Sequence, residues 1–172
     1  IFENYHDAKK RGANILAEVA GFSMTSDAID IVNPSKKGAA RAMIGALKDA
    51  RFNPEDVEYI NAHGTGTLAN DKTECAAIKE VFKSHAKKLM ISSTKSMHGH
   101  LIGGTGAVEL LGCLLALNKQ IIAPTINFLK KDPDCDLDIV PNTARQKNVK
   151  CILSNSFAFG GTNAVLALKK FS

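Results

Sequence analysis

Histidine, lysine, hydroxyls and glycine crowd into three short stretches, Asn61-Ala-His-Gly-Thr-Gly-Thr67, Ser92-Ser-Thr-Lys-Ser-Met-His-Gly-His100 and Asn155-Ser-Phe-Ala-Phe-Gly-Gly161. Each directly follows an apolar run that reads as a strand, and strand ends hold side chains rigidly while the loops beyond them open toward a substrate. A neutral imidazole donates a hydrogen bond to a carbonyl that is gaining negative charge. Two of them, His63 and His100, converging on one oxygen would stabilise an enolate or oxyanion. One histidine alone would be expected only to cap its loop; two, both in glycine-flanked loops at strand ends, point to electrophilic catalysis. None of the three stretches contains a cysteine or an activated serine to serve as nucleophile.

Other residues could support that chemistry. Lys95, five positions before His100, reads as a base, a Schiff-base amine or an ion-pair member. Asp71, Glu74 and Glu109 lie in the helices that follow the two histidine loops, where a lysine–carboxylate cluster behind the imidazoles would fix their orientation. Asp71 and Glu74 have an ordinary surface role as the plainer reading. Glu109 does not, because it interrupts an apolar helix and is costly to bury unpaired. Thr65 and Thr67 could bond a polar ligand tail, or serve only the turn. The Phe157–Gly161 loop offers a backbone N–H and a mobile ring, or a hairpin turn with two core aromatics. His98-Gly-His100 together with His63 would supply three nitrogens to zinc, but the intervening glycine and the following helix do not favour a shared direction, and no metal is expected. Gly103-Gly-Thr-Gly106 is not followed by the Lys-Ser/Thr of a phosphate loop, so no nucleotide is expected.

The elements that must position these groups follow from periodicity. Residues 15–24 read as a strand bent near Gly21, and Ser35 opens a helix over 39–50 with Ala40, Met43, Ile44 and Leu47 at helical spacing. Residues 57–60 form a strand leading to His63. Asn70-Asp71 caps the next helix, with Ala76, Ala77, Ile78, Val81 and Phe82 on its buried side. Residues 89–91 form the strand that delivers Lys95 and His100. The helix from about Gly103 to Asn118 lacks a polar face and is expected to be buried on nearly all sides. After a connector with Pro124, Pro133 and Pro141, residues 151–154 and 164–168 form two strands joined by the 157–161 loop. Strands alternating with helices, then a terminal hairpin, imply an α/β fold with one mixed sheet covered by helices in layers.

At 172 residues with 45% apolar content the chain is one domain able to bury a core. The net charge of +5 is spread along the chain, which suits an acidic protein partner better than nucleic acid. Cys75, Cys113, Cys135 and Cys151 lack metal or redox spacing and read as reduced thiols of a cytoplasmic protein. The apolar stretch 101–117 carries four glycines and Glu109, so it is not a membrane span. His6 and His85 lie in charged neighbourhoods and are expected to face solvent. The first residue is Ile1 rather than Met, and residues 1–12 read as a charged helix entering from something upstream; the chain is expected to be the C-terminal piece of a longer one.

Taken together, the segments from Ala8-Lys-Lys-Arg-Gly12 to Ser154-Asn-Ser-Phe-Ala-Phe-Gly-Gly-Thr-Asn163 closely resemble the C-terminal half of elongating β-ketoacyl-acyl carrier protein synthases, of the thiolase-like condensing family. That resemblance implies a thiolase-like layered fold and a decarboxylative Claisen condensation. His63 and His100 would hold the malonyl thioester carbonyl as CO2 leaves, and Lys95 would be tied to Asp71, Glu74 and Glu109. Thr65 and Thr67 would touch the phosphopantetheine arm of the carrier protein. Phe159 would supply a gate ring and an oxyanion-hole N–H, with Phe157 and Gly160 completing the substrate-binding loop. The acyl-bearing cysteine would belong to an N-terminal half, so this chain alone is expected to be inactive, and the complete enzyme to be a homodimer with acyl carrier protein as partner and no cofactor of its own. Two positions depart from the usual pattern. Ala158 stands where glycine is usual and could stiffen the gate. His98 stands where a small or apolar residue is more common. The competing expectation is a non-catalytic subunit of the chain-length-factor kind, against which the retention of His63, Lys95 and His100 argues.

Overall fold

A computed structural model describes residues 1–171. A short helix α1 (Tyr5–Lys10), capped by the Asn4 side chain, precedes strand β1 (Ala17–Ser26). Helix α2 (Lys36–Ala50) starts on the Ser35 hydroxyl, which accepts from Gly38 N–H, and ends at Arg51 in the left-handed region. Then come β2 (Tyr59–Asn61), α3 (Leu68–Phe82), β3 (Met90–Ser92), the single turn α4 (Lys95–His98) and α5 (Thr105–Lys119). A small two-stranded sheet, β4 (Ile121–Ile122) with β5 (Arg145–Gln146), spans the connector, and β6 (Cys151–Ala158) and β7 (Thr162–Lys170) close the chain.

The main sheet has the order β1-β7-β6-β2-β3. The β1–β7–β6 part is antiparallel and the β6–β2–β3 part parallel, so the sheet is mixed. β1 bulges between Val19 and Gly21, the position of the expected bend. Successive strand residues point to opposite faces. Ile60 and Leu153 pack with α2 and α3 in one cluster, while Tyr59 and Ile152 pack with Cys113, Ala116 and Leu117 of α5 in another. Helices thus cover both faces, two on one side and α5 on the other.

Three expectations are corrected. The cap of α3 is Thr67, whose Oγ1 accepts from Asn70 N–H, and Asn70 and Asp71 lie inside the first turn. Helix α5 is not buried all round. Glu109, Cys113, Ala116 and Leu117 face the sheet, whereas Leu111 and Leu115 are 60% and 59% exposed. On β1, Phe22 and Met24 are also exposed. His85 is half-buried rather than solvent-facing, its Nε2 2.9 Å from the Val57 carbonyl. All four cysteines are free thiols, and no helix among the described residues is long and apolar enough to cross a membrane.

Candidate active site

Parallel pairing sets the site. Asn61 is in register with Ser92 on one side and Ser154 on the other, so β2, β3 and β6 bring the three polar stretches together at the same end of neighbouring parallel strands. The first two stretches leave their strands there. The third does not, because β6 runs on through Asn155 and Phe157 to Ala158 before the chain turns.

His63 is 8% exposed and His100 is exposed, yet their rings meet edge to face with centroids 5.6 Å apart and planes at 85°. Phe157, buried, also lies against His63, with ring centroids 5.7 Å apart. Burial, with Lys95 and His100 adding to it, lowers the His63 pKa to about 3, so this imidazole is neutral near pH 7. The backbone amide of Ile102 can only donate, and it donates to His100 Nδ1 at 3.0 Å, with the Thr105 hydroxyl at the same distance. His100 in its neutral form therefore carries its proton on Nε2, the nitrogen left for a ligand.

Glu74 holds the His63 loop from behind. One oxygen accepts from His63 N–H at 2.9 Å and from the Asn155 carboxamide at 3.0 Å; the other accepts from Gly64 N–H at 2.9 Å. Desolvation raises the Glu74 pKa and these donors oppose the rise. Ser93 Oγ donates to Gly64 O at 2.6 Å, and a Cβ on Gly64, whose φ is +42°, would lie 2.5 Å from the Ser93 Cβ. Glycine is the residue that fits there.

Lys95 is buried and forms an ion pair with the fully buried Glu109. Burial pushes the Glu109 carboxyl up to about 6 against the opposing pull of Lys95. The expected cluster is therefore divided. Glu109 pairs with Lys95, and Glu74 serves the His63 backbone with Lys95 acting on it only through space. Asp71 stands apart and accepts from Gly66 N–H at 3.2 Å and from the Asn70 carboxamide. Its position follows from the earlier start of α3, which turns the Asp71 side chain back onto the 64–67 loop.

A cleft of about 770 Å³ runs from Lys95 and His100 along Thr65, Thr67 and Asp71, with Ile126 and Phe128 of the connector opposite. The Thr65 and Thr67 hydroxyls are 3.0 Å apart on its wall. Phe159 and Gly160 are not on that wall. Phe159 is 80% exposed at the tip of the β6–β7 loop, and the Gly160 N–H donates to Ile31 O at 2.8 Å. Sequence reasoning missed Asn155 as a partner of Glu74, Thr105 as a partner of His100, and Ser93 as the brace of Gly64. All three belong to segments already singled out, but only the folded backbone shows which side chains meet.

The family model described as "Beta-ketoacyl synthase, C-terminal domain" matches residues 16–129. Nodulation protein E of Rhizobium meliloti is 51% identical over 170 residues, 99% of this chain and 42% of that protein. The 3-oxoacyl-[acyl-carrier-protein] synthase 2 of Staphylococcus aureus (strain COL) is 48% identical over 173 residues, again 99% and 42%. Among solved structures, a type II PKS acyl-carrier protein in complex with its ketosynthase superposes with a TM-score of 0.96 at 39% identity, covering 99% of this chain and 42% of that one. The chain thus spans under half the length of the curated relatives it matches.

Proposed function

Because the chain belongs to the β-ketoacyl synthase family, as its C-terminal domain, we propose that it supplies the decarboxylation machinery of a condensing acyltransferase. Its mixed, helix-covered sheet is the thiolase-like fold of ketosynthases. The observation that carries the proposal is the meeting of two imidazoles, His63 kept neutral by burial and His100 with its proton on Nε2, in front of a buried Lys95–Glu109 pair.

In this reading a malonyl thioester enters along the cleft with its carbonyl oxygen between the two rings. As the carbon–carbon bond to the carboxylate breaks and CO2 departs, the electron pair moves onto that oxygen, and ring N–H groups stabilise the enolate. Lys95 and Glu109 hold the field behind the rings. The enolate carbon then attacks the carbonyl of an acyl thioester carried on a cysteine, and the new carbon–carbon bond forms as the carbon–sulfur bond breaks and the cysteine leaves as thiolate. Cys75, Cys113 and Cys151 are buried, with thiol pKa values raised chiefly by desolvation, and none is an activated nucleophile. We assign the acyl-bearing cysteine to the residues that relatives carry outside the matched 42%. The exposed apolar side chains Leu111 and Leu115 on α5 and Phe22 and Met24 on β1 support an N-terminal half packed against this chain. Thr65 and Thr67 suit the amide groups of a phosphopantetheine arm, acyl carrier protein is the proposed donor, and the complete enzyme is proposed to be a cytoplasmic homodimer. A non-catalytic chain-length-factor role would need neither the histidine pair nor its lysine.

The test is release of CO2 from malonyl-carrier protein by the complete protein that carries this chain. His100→Ala is expected to lower turnover by about 10²- to 10³-fold, the usual loss for one oxyanion donor. Turnover unchanged in that variant would remove the assigned role.

A further inference from the structure

His98 is the one titratable residue of the Ser92–His100 stretch that the proposed reaction does not use, and its ring is fully engaged. Its Nδ1 is 2.8 Å from the Gly99 carbonyl oxygen and its Nε2 is 3.1 Å from Thr94 Oγ1. A carbonyl oxygen only accepts, so Nδ1 carries the hydrogen, and the neutral ring's Nε2 accepts from the Thr94 hydroxyl. The imidazole therefore ties together the residue just before Lys95 and the residue just before His100, across the whole of α4.

The two ends of this tie differ in rigidity. Thr94 is 4% exposed, and its methyl group packs toward α5 at Gly112, so it is a fixed post. Gly99 has φ +77° with no atom within 4 Å of where a Cβ would stand. Its N–H donates to Lys95 O at 2.8 Å, and among the described residues the His98 ring is the hydrogen-bond partner of its carbonyl, while Ile102 and Thr105 hold the His100 ring beyond it. Glycine there gives the chain freedom to turn and equally freedom to drift. A drift of about 1 Å at a reacting group costs up to about 10²-fold in rate.

We infer that His98 is a positioning residue, a brace that sets the distance from Lys95 to His100 by hanging the Gly99 peptide from Thr94. The inference rests on the decarboxylation reading and adds to it a residue that touches neither substrate nor the reacting atoms. Malonyl-carrier protein decarboxylation by the complete protein is the assay, with kcat and KM measured separately. His98→Ala is expected to lower kcat about tenfold with KM within twofold, because the oxyanion donor is displaced while the Thr65–Thr67 side of the cleft is untouched. His98→Asn keeps a donor in reach of Gly99 O and His98→Gln keeps an acceptor in reach of Thr94, and one of them, but not both, should recover most of kcat. Thr94→Val combined with His98→Ala should be no slower than His98→Ala alone, since both remove the same tie.

Wild-type kcat in His98→Ala, a rise confined to KM, or losses in Thr94→Val and His98→Ala that multiply would each overturn the brace. Should His98→Ala fail to fold, the Asn and Gln variants decide. Recovery by one and a loss in the other supports the tie, and equal rates in both, whether full or lost, overturn it. His100→Ala separates this from the underlying reading. If that variant is inactive while His98→Ala is at full rate, only the brace falls. If His100→Ala itself decarboxylates at the wild-type rate, the reading beneath it falls first.

Discussion

The two histidine loops are held in opposite ways. His63 is buried, and its loop is fixed by residues distant in sequence: Glu74 from α3, Asn155 from β6 and Ser93 from the end of β3. His100 is exposed, and its ring is fixed by residues two and five positions further along, Ile102 and Thr105. The first arrangement couples the imidazole to the core, so that its orientation and its neutrality are properties of the fold. The second is a local device that can be altered without disturbing the sheet. A site with one donor built into the core and one on a short turn joins a fixed electrostatic reference to a part that substitution can alter on its own.

The sharpest way to break this contrast is at Glu74. Glu74→Leu would leave the His63 and Gly64 amides and the Asn155 carboxamide facing an apolar side chain, and each buried donor without an acceptor costs about 1–3 kcal/mol. A total loss of roughly 3 kcal/mol or more is expected in urea unfolding of the complete protein. A loss below about 1 kcal/mol would show that the His63 loop is not tied to the core through this carboxylate.

The next effect is in pH dependence. The unfolded chain protonates this imidazole near pH 6.5 and the folded protein only near pH 3. Between those values the unfolded state binds more protons, so stability rises with pH there. The stability tied to neutral His63 is complete above about 6.5 and falls on acidification, by at most about 1.4 kcal/mol per pH unit. His63→Asn is expected to be less acid-sensitive than the wild type from pH 6.5 to 4. Parallel curves for the two proteins in a urea series would contradict a buried neutral ring.

Much of the site was legible because its signals are local. Strand-to-loop patterns with glycine marked His63 and Lys95-to-His100, and a single carboxylate in an apolar helix marked Glu109, which indeed pairs with Lys95. What could not be read depends on separation. Asn155 meets Glu74 across 81 positions, and nothing local distinguishes Glu74, aimed at the His63 backbone, from Asp71, aimed at Gly66. The start of α3 was ambiguous because Thr67, Asn70 and Asp71 are all capping residue types, and only the backbone decides among them. The outer side of α5 misled for a physical reason. An apolar helix must be covered by something, but composition does not say whether its own core or another surface does the covering.

The smallest expected effect tests the local side of the contrast. Thr105→Val removes one of the two donors to His100 Nδ1 while preserving volume, and Ile102 N–H still holds the ring. Thr105 is buried at the start of α5, so the loss of its hydrogen bond should cost about 1 kcal/mol of stability. The rate of malonyl decarboxylation should fall further than that suggests, by about threefold to tenfold, because a ring held at one point rather than two samples orientations in which Nε2–H misses the developing oxyanion. Since Thr105 and Ile102 both act on Nδ1, the variant should leave KM unchanged. Were Thr105→Val to destabilise the protein as much as Glu74→Leu, His100 would be as much a part of the core as His63, and the division of labour between the two loops would be lost.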